Sequence, residues 1–272
     1  MQNPDNYAVI GYPIHHSKSP RIHALFAEQT AQNLSYLAQE VRPENFTDAV
    51  TAFFTKGGKG LNCTLPLKEL AWAFAEHKTP RAHAAKAVNT LILQEDGRIL
   101  GDNTDGIGLV TDLTCNHGVN LHDKRLLILG AGGATRGILL PLLEAHPRCI
   151  LIANRTVEKA QQLASEFEQI EACGFDALEN QQFDVIINAT SASLQGELPP
   201  LPEHLLAHNG ICYDLAYSNQ PTAFVRWGLE QNASKSVDGL GMLVEQAAEA
   251  FFLWRGVRPH TQEVIELLNA HR

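Results

Sequence analysis

The chain has 272 residues, 44% of them hydrophobic and 19% charged, which is globular rather than disordered composition. At about 150 residues per domain that length predicts two domains or one large α/β unit. Lys plus Arg number 21 against 30 Asp plus Glu, a net charge of −9 that argues against a nucleic-acid or anionic-membrane binder.

In chain order, Tyr7–Gly11 is a short apolar run ending in a Gly-Tyr-Pro turn and reads as a buried strand. Ile22, Leu25, Phe26 and Gln29 follow at helical spacing, with Pro20 in the first turn. Tyr36–Val41 is a second strand. Pro43 opens a helix with Phe46, Val50, Phe53 and Phe54 on one face, stopped at Gly57-Gly58. Gly60–Thr64 is a third strand, and Pro66 predicts the start of the next helix. This β-α-β-α-β rhythm predicts an α/β layer. Asn89–Leu93 and Arg98–Leu100, joined by Glu95-Asp96-Gly97, read as a hairpin. A helix starts near Asp105, with Ile107, Val110 and Leu113 as its apolar stripe.

At Lys124 the pattern restarts with the apolar strand Arg125–Leu129, a Gly130–Thr135 turn and a helix through Ile138–Leu143. Cys149–Ala153 is the next strand, and Thr156 is a candidate N-cap for a helix carrying Ala160, Leu163 and Phe167. Phe183–Asn188 and Ile211–Leu215 complete a βαβ series, which predicts a doubly wound parallel sheet. Leu240–Arg272 is helical, with Leu243, Ala247, Phe251 and Trp254 on one face that must dock on another element.

The five cysteines, Cys63, Cys115, Cys149, Cys173 and Cys212, include no CxxC pair, so neither a disulfide framework nor a metal site is expected. The polar start at Met1–Asn6 predicts no secretory leader, and no apolar run approaches the 18 or so residues of a membrane helix. A cytoplasmic protein is the resulting expectation.

Gly130-Ala131-Gly132-Gly133-Ala134 between a strand and a helix is the setting of a dinucleotide site, because small residues let backbone N–H groups and a helix N-terminus approach a pyrophosphate. Thr135 stands where the third glycine of the motif belongs. At the end of the second strand of this series, an NAD site places a carboxylate on the ribose 2′-hydroxyl. This chain has Asn154-Arg155-Thr156 there, with Lys159 one turn later. A guanidinium pairs with a 2′-phosphate that a carboxylate would repel, so NADP is expected. Outside this module Ser17, Ser19, Thr64, Lys68, Asn89 and Asp105 gather at strand ends, where α/β layers bind ligands, and suit a small polyhydroxylated acid.

The motifs Ser17-Lys18-Ser19-Pro20, Asn62–Lys68 (Asn-Cys-Thr-Leu-Pro-Leu-Lys), Ala87-Val88-Asn89-Thr90 and Gly101–Gly106 come in order along the chain. They are followed by Gly130–Gly137, Asn154-Arg155-Thr156 and Asp238–Leu243. Together, from about residue 7 to 258, they resemble the shikimate dehydrogenase family in its NADP-dependent biosynthetic form. The resemblance implies an α/β substrate domain with a mixed sheet, residues 1–104 plus 240–272, and a Rossmann-type NADP domain, residues 105–239, with the active site in the cleft between them. It implies reversible NADPH-dependent reduction of 3-dehydroshikimate to shikimate, on the way to chorismate and the aromatic amino acids. Lys68 is the expected acid/base, with Asp105 beside it. Ser17 and Ser19 are expected on the substrate carboxylate, with Tyr217 near that end. Thr64, Asn89, Asp105 and Gln246 are expected on the ring hydroxyls. Gly130–Ala134 are expected on the pyrophosphate, Asn154, Arg155, Thr156 and Lys159 on the 2′-phosphate side, and Leu215 and Gly239 near the nicotinamide. A monomer or homodimer is expected.

The chain departs from the family pattern at Cys63, Leu65 and Leu67, at Pro80, where an acidic residue is common, and at Ser193, where glycine is common. The competing readings are an NAD-dependent quinate/shikimate dehydrogenase, which would want an acidic residue at 155–157, and a non-catalytic NADP sensor, which would lack Lys68 or Asp105.

Overall fold

The computed structural model describes residues 3–272. The chain forms two compact units, Met1–Gly108 with Leu243–Asn269, and Leu109–Met242 with Ala270–Arg272.

The first unit holds β1 (Asp5–Gly11), α1 (Ser19–Gln29), β2 (Leu34–Glu40), α2 (Phe46–Thr55), β3 (Gly58–Cys63), α3 (Lys68–Phe74), β4 (His77–Lys78) and α4 (Pro80–Ala85). The hairpin β5 (Thr90–Leu93) and β6 (Ile99–Asp102) follows. The sheet order is β2-β1-β3-β5-β6-β4. It is mixed: β1 runs parallel to β2 and β3, whereas β5 is antiparallel to both β3 and β6. Val50, Leu61, Leu67, Ala71, Val88 and Leu91 form one core layer. In α1, Ile22 and Phe26 are buried as the spacing predicts, but His23 shares that face while Gln29 is exposed. Pro66 does not start α3, which begins at Lys68 after a cis Leu65-Pro66 peptide.

α5 (Asp105–Thr111) runs into a π-type turn over Asp112–Asn116. Its buried stripe is Leu109 with Leu113, whereas Ile107 and Val110 are half-buried. The second unit then builds β7 (Arg125–Leu129), α6 (Gly133–Glu144), β8 (Cys149–Ala153), α7 (Val157–Ala164), β9 (Ile170–Cys173), β10 (Phe183–Asn188), β11 (Leu206–Asp214), α8 (Ala223–Glu230) and β12 (Lys235–Val237). All pairings in its sheet, β12-β11-β10-β7-β8-β9, are parallel. This is the doubly wound order, reversing direction between β7 and β10, which puts the turn after β7 at the switch point. Leu126, Ile128, Ile138, Ile150, Ile152, Val185 and Ile187 form one core layer of this unit.

α9 (Leu240–Arg255) and α10 (Gln262–Asn269) close the chain. From Leu243 onward α9 belongs to the first unit, and Phe251 packs on Phe26 with ring centroids 5.7 Å apart. The Trp254 indole donates to the Leu91 carbonyl across 3.1 Å. It passes so close to Gly60 that a Cβ there would sit 2.3 Å from its nitrogen. Within the described residues no helix is long and apolar enough to cross a membrane, the five cysteines are unpaired, and no cluster of metal-ligating side chains forms.

Candidate active site and dinucleotide loop

In the first unit, three separate elements bring polar side chains to one place. Lys68 opens α3, Asn89 immediately precedes β5, and Asp105 opens α5. Lys68 Nζ donates to Asp105 Oδ2 across 2.6 Å, and Asn89 Nδ2 donates to Asp105 Oδ1 across 2.8 Å. Asp105 is seated by its own backbone, whose N–H donates to Asn103 Oδ1 at 3.1 Å, and a carboxylate in the first turn suits the helix dipole. Asn89 Oδ1 accepts from the Thr104 N–H at 2.9 Å and the Thr90 hydroxyl at 2.8 Å. Gln246, on α9, reaches the same group, with its Oε1 3.4 Å from Asn89 Nδ2.

The loop entering Asp105 is anchored by a buried ion-pair network. Asp102 is 1% exposed and takes both arms of Arg81, at 2.8 and 2.7 Å. It also accepts from the Thr79 hydroxyl and the Asn103 N–H. Arg81 further donates to Glu249 across 2.9 Å, and Arg258 holds the other oxygen of that carboxylate. Burial opposes the Arg81 charge, but Asp102 and Glu249 outweigh it and push its pKa up. Pro80, the departure noted above, sits in the first turn of α4 behind a Thr79 cap.

Thr64 stands at the end of β3 against Gly11, where an added Cβ would meet the Thr64 methyl at 2.5 Å. The Thr64 hydroxyl has no hydrogen-bond partner among the described residues. Ser17 Oγ accepts from the Ser19 N–H at 3.3 Å in the turn that opens α1. Cys63 and Leu67 are buried core residues, whereas Leu65 is exposed, so these three departures leave the polar groups in place.

Sequence reasoning missed the support beneath this cluster. Tyr36 donates to Asn62 Oδ1 across 2.6 Å, and His23 stacks on the Tyr36 ring at 4.0 Å. Burial pushes the Tyr36 phenol well up, with Cys63 adding to the shift and a Ser19 hydrogen bond opposing it. Burial also drives the His23 pKa down to about 3, against a smaller opposing effect of Asn62. The available signal was the polar residues Asn62 and Thr90 inside otherwise apolar strands, since buried polar groups come with partners.

In the second unit, Gly130 adopts φ +100°, a conformation that favours glycine, and it lies against Ala189 and Thr190 of the loop after β10. Thr135 fills the place of the third glycine by a different device: its buried hydroxyl donates to the Gly130 carbonyl at 2.8 Å and closes the turn. A Cβ on Gly132 or Gly133 would meet nothing within 4 Å, and no side chain caps α6 at Gly132. The turn into the helix is therefore uncrowded on the Cα side of both glycines.

Arg155 and Lys159 are exposed and make no ion pair among the described residues, in contrast to Arg136, which is held by both oxygens of Glu166 at 2.7 and 2.6 Å. Thr156 occupies the N-cap position of α7 but makes no cap bond; the Asn154 amide instead donates to its carbonyl at 2.8 Å. Gly239 lies against the Leu215 backbone, where a Cβ would be 2.3 Å from the carbonyl oxygen. Ser193 accepts from Asn188 Nδ2 at 3.0 Å. Asn188 also donates to Asp214, whose carboxyl burial pushes up while Ser193 and Thr222 oppose the shift. Tyr217, on the loop after β11, is half-buried; burial raises its phenol, with Asp238 adding and Arg272 opposing.

Family models match three stretches of this chain. They are the shikimate dehydrogenase substrate binding domain over residues 9–91, shikimate/quinate 5-dehydrogenase over 113–195, and the shikimate 5′-dehydrogenase C-terminal domain over 239–268. A shikimate dehydrogenase (NADP(+)) of Methylococcus capsulatus is 62% identical over 275 aligned positions, covering 100% of this chain and 99% of the relative. The chain belongs to the shikimate dehydrogenase family. A second family member, from Alkalilimnicola ehrlichii and also named shikimate dehydrogenase (NADP(+)), is 57% identical over 97% of this chain and 98% of its own length. Among solved structures, an Ael1 enzyme from Pseudomonas putida superposes with a TM-score of 0.92 at 48% identity, covering 97% of this chain and 98% of that one. Shikimate 5-dehydrogenase from Thermus thermophilus, in complex with NADP(H) and shikimate, gives 0.87 at 34% identity, with 96% and 97% covered.

Proposed function

We propose that this shikimate dehydrogenase family member is an NADP-dependent oxidoreductase that catalyses 3-dehydroshikimate + NADPH + H⁺ ⇌ shikimate + NADP⁺. The observation that carries the reading is the Lys68–Asp105–Asn89 cluster, which offers a proton donor held by a carboxylate beside further hydrogen-bonding groups. NADPH, when bound, supplies a hydride from C4 of its nicotinamide to C3 of the substrate. As negative charge develops on the ketone oxygen, the Lys68 ammonium stabilises it and transfers a proton from Nζ. In the reverse direction neutral Lys68 removes the hydroxyl proton. Asp105 holds Lys68 in place and accepts from the adjacent hydroxyl, with Thr64, Asn89 and Gln246 on the remaining ring hydroxyls. Ser17 and Ser19 bind the substrate carboxylate, with Tyr217 toward that end.

Gly130, Ala131, Gly132, Gly133 and Ala134 hold the pyrophosphate. Asn154, Arg155, Thr156 and Lys159 take the 2′-phosphate, and Leu215 and Gly239 border the nicotinamide. The open glycine turn, the absence of a side-chain cap on α6, and Arg155 and Lys159, which form no ion pair among the described residues, fit such a dinucleotide. The reaction belongs to the cytoplasmic synthesis of chorismate and the aromatic amino acids, carried out by a monomer or homodimer.

The test is the initial rate of NADP⁺ reduction by shikimate, run alongside NAD⁺ and quinate. Turnover with shikimate and NADP⁺ well above the other three combinations is expected. Preference for quinate with NAD⁺ would instead favour the quinate variant, and absence of turnover would favour a binding protein.

A further inference from the structure

Thr90 is fully buried, at 0% exposure, and its hydroxyl is committed on both sides. The β3–β5 pairing sets it directly opposite Asn62. Asn62 Nδ2 donates to the Asn89 main-chain carbonyl at 3.1 Å, and a carbonyl only accepts, so this end of the Asn62 amide is its NH₂. The same NH₂ donates to Thr90 Oγ1 at 3.0 Å, and Asn62 Oδ1 accepts from Tyr36. The one proton of the Thr90 hydroxyl is then directed to Asn89 Oδ1, 2.8 Å away. Thr104 N–H, a group that only donates, points at the same oxygen from 2.9 Å.

Asn89 Oδ1 is thus held by the Thr90 hydroxyl and the Thr104 N–H, with the Thr104 hydroxyl a longer 3.2 Å away, and this turns Asn89 Nδ2 toward Asp105 Oδ1 at 2.8 Å. Every donor in the series Tyr36, Asn62, Thr90, Asn89 points toward the Asp105 carboxylate, which in turn holds Lys68. Such aligned bonds polarise one another in a low-dielectric interior.

We propose that Thr90 is a positioning residue for the reaction: its hydroxyl ties Asn62 to Asn89 and thereby keeps the Asn89 amide oriented on the Asp105–Lys68 pair. Thr90 touches neither Lys68 nor the reacting atoms; it acts through Asn89. This role deepens the proposed function and rests on the reading of Lys68 and Asp105 as the reacting pair.

The experiment compares Thr90→Val with Thr90→Ser in the full chain, by steady-state kinetics with shikimate and NADP⁺ and by thermal midpoint. Valine keeps the shape and loses the hydroxyl; serine keeps the hydroxyl and loses a methyl. Positioning predicts that Thr90→Val lowers kcat about three- to tenfold, the loss of one buried hydrogen bond, with KM for NADP⁺ unchanged. Thr90→Ser then retains most of the wild-type kcat even if its midpoint falls. If Val does not yield folded protein, Thr90→Cys takes its place, since a thiol is only a weak donor. A Val (or Cys) variant with wild-type kcat, or a kcat loss equal in Ser and Val, overturns the proposal, because packing alone would then account for the residue. An inactive wild type would overturn the assigned reaction itself, and the role of Thr90 with it.

Discussion

Lys68 and Asp105 stand 37 residues apart in the chain, each at the first position of its helix, and meet at 2.6 Å with side chains 27% and 18% exposed. That partial exposure leaves the pair open to a ligand. The hydrogen bond from Asn89 to the far carboxylate oxygen leaves Asp105 little freedom to turn away. Replacing Lys68 by Ala is expected to lower kcat by about 10²–10⁴-fold, the usual worth of a general acid–base group. NADP⁺ affinity, measured by fluorescence titration, should stay within about twofold, because the glycine turn proposed to hold the dinucleotide lies in the other unit.

Among the described residues Arg155 has no carboxylate partner, unlike Arg136. Arg155→Ala should weaken NADP⁺ by roughly 10- to 100-fold, the range of a charge-assisted hydrogen bond, and NAD⁺ far less. Dissociation constants for both nucleotides check this, and an equal loss for the two would remove the 2′-phosphate argument.

His23 carries an acid-stability prediction. The unfolded chain protonates this imidazole near its ordinary pKa of 6.5, whereas burial keeps it neutral down to about 3 in the folded protein. Between those values the unfolded state binds the extra proton, so stability falls as the pH drops through that window. The slope is up to about 1.4 kcal/mol per pH unit for this group. Among the described residues neither ring nitrogen has a hydrogen-bond partner, so His23→Phe should be tolerated near neutrality and should flatten the acid dependence. Urea unfolding of both proteins at about pH 7.5 and about pH 5 measures the difference.

Gly241 is the point where α9 passes the buried Asp112. A Cβ there would lie 2.0 Å from Asp112 Oδ1. Asp112 cannot yield, because Tyr213 donates to it at 2.6 Å and Asn116 at 2.8 Å. Burial raises this carboxyl, but the bonds from His117, Tyr213 and Asn116 outweigh it and hold the pKa below the usual range. Gly241→Ala should therefore cost about 1–3 kcal/mol, the overpacking range, read as a lower urea midpoint at unchanged m-value.

β1, β7, β8 and β10 were legible because each is mainly an apolar run, whereas β3, which carries Lys59 and Asn62, was legible from its place between the Gly57-Gly58 stop and Pro66. The strands that were not anticipated, β4, β9 and β12, are three of the four sheet edges; the fourth, β2, was read from Tyr36–Val41. They are short and carry Lys78, Glu171 and Lys235, because an edge strand has only one neighbour and needs no apolar run. Thr156 shows the limit of a local rule: the residue type and place are those of a cap, yet its side chain makes no cap bond.

By itself the sequence determined the α/β alternation, the glycine turn after β7, the absence of a carboxylate at 154–156 and the set of polar residues at strand ends. These are local properties, carried by side-chain period and by the conformational freedom of particular residues. Only the tertiary structure decided that Asn89 faces Asp105 with its NH₂, that Thr135 closes the turn with a hydroxyl where the motif has glycine, and that, among the described residues, Arg155 rather than Arg136 is left without a carboxylate. Those outcomes depend on which donors and acceptors from distant segments share a desolvated place. Hydrogen-bond direction there is settled by groups such as the Thr104 N–H that can only donate, a constraint that one-dimensional spacing does not carry.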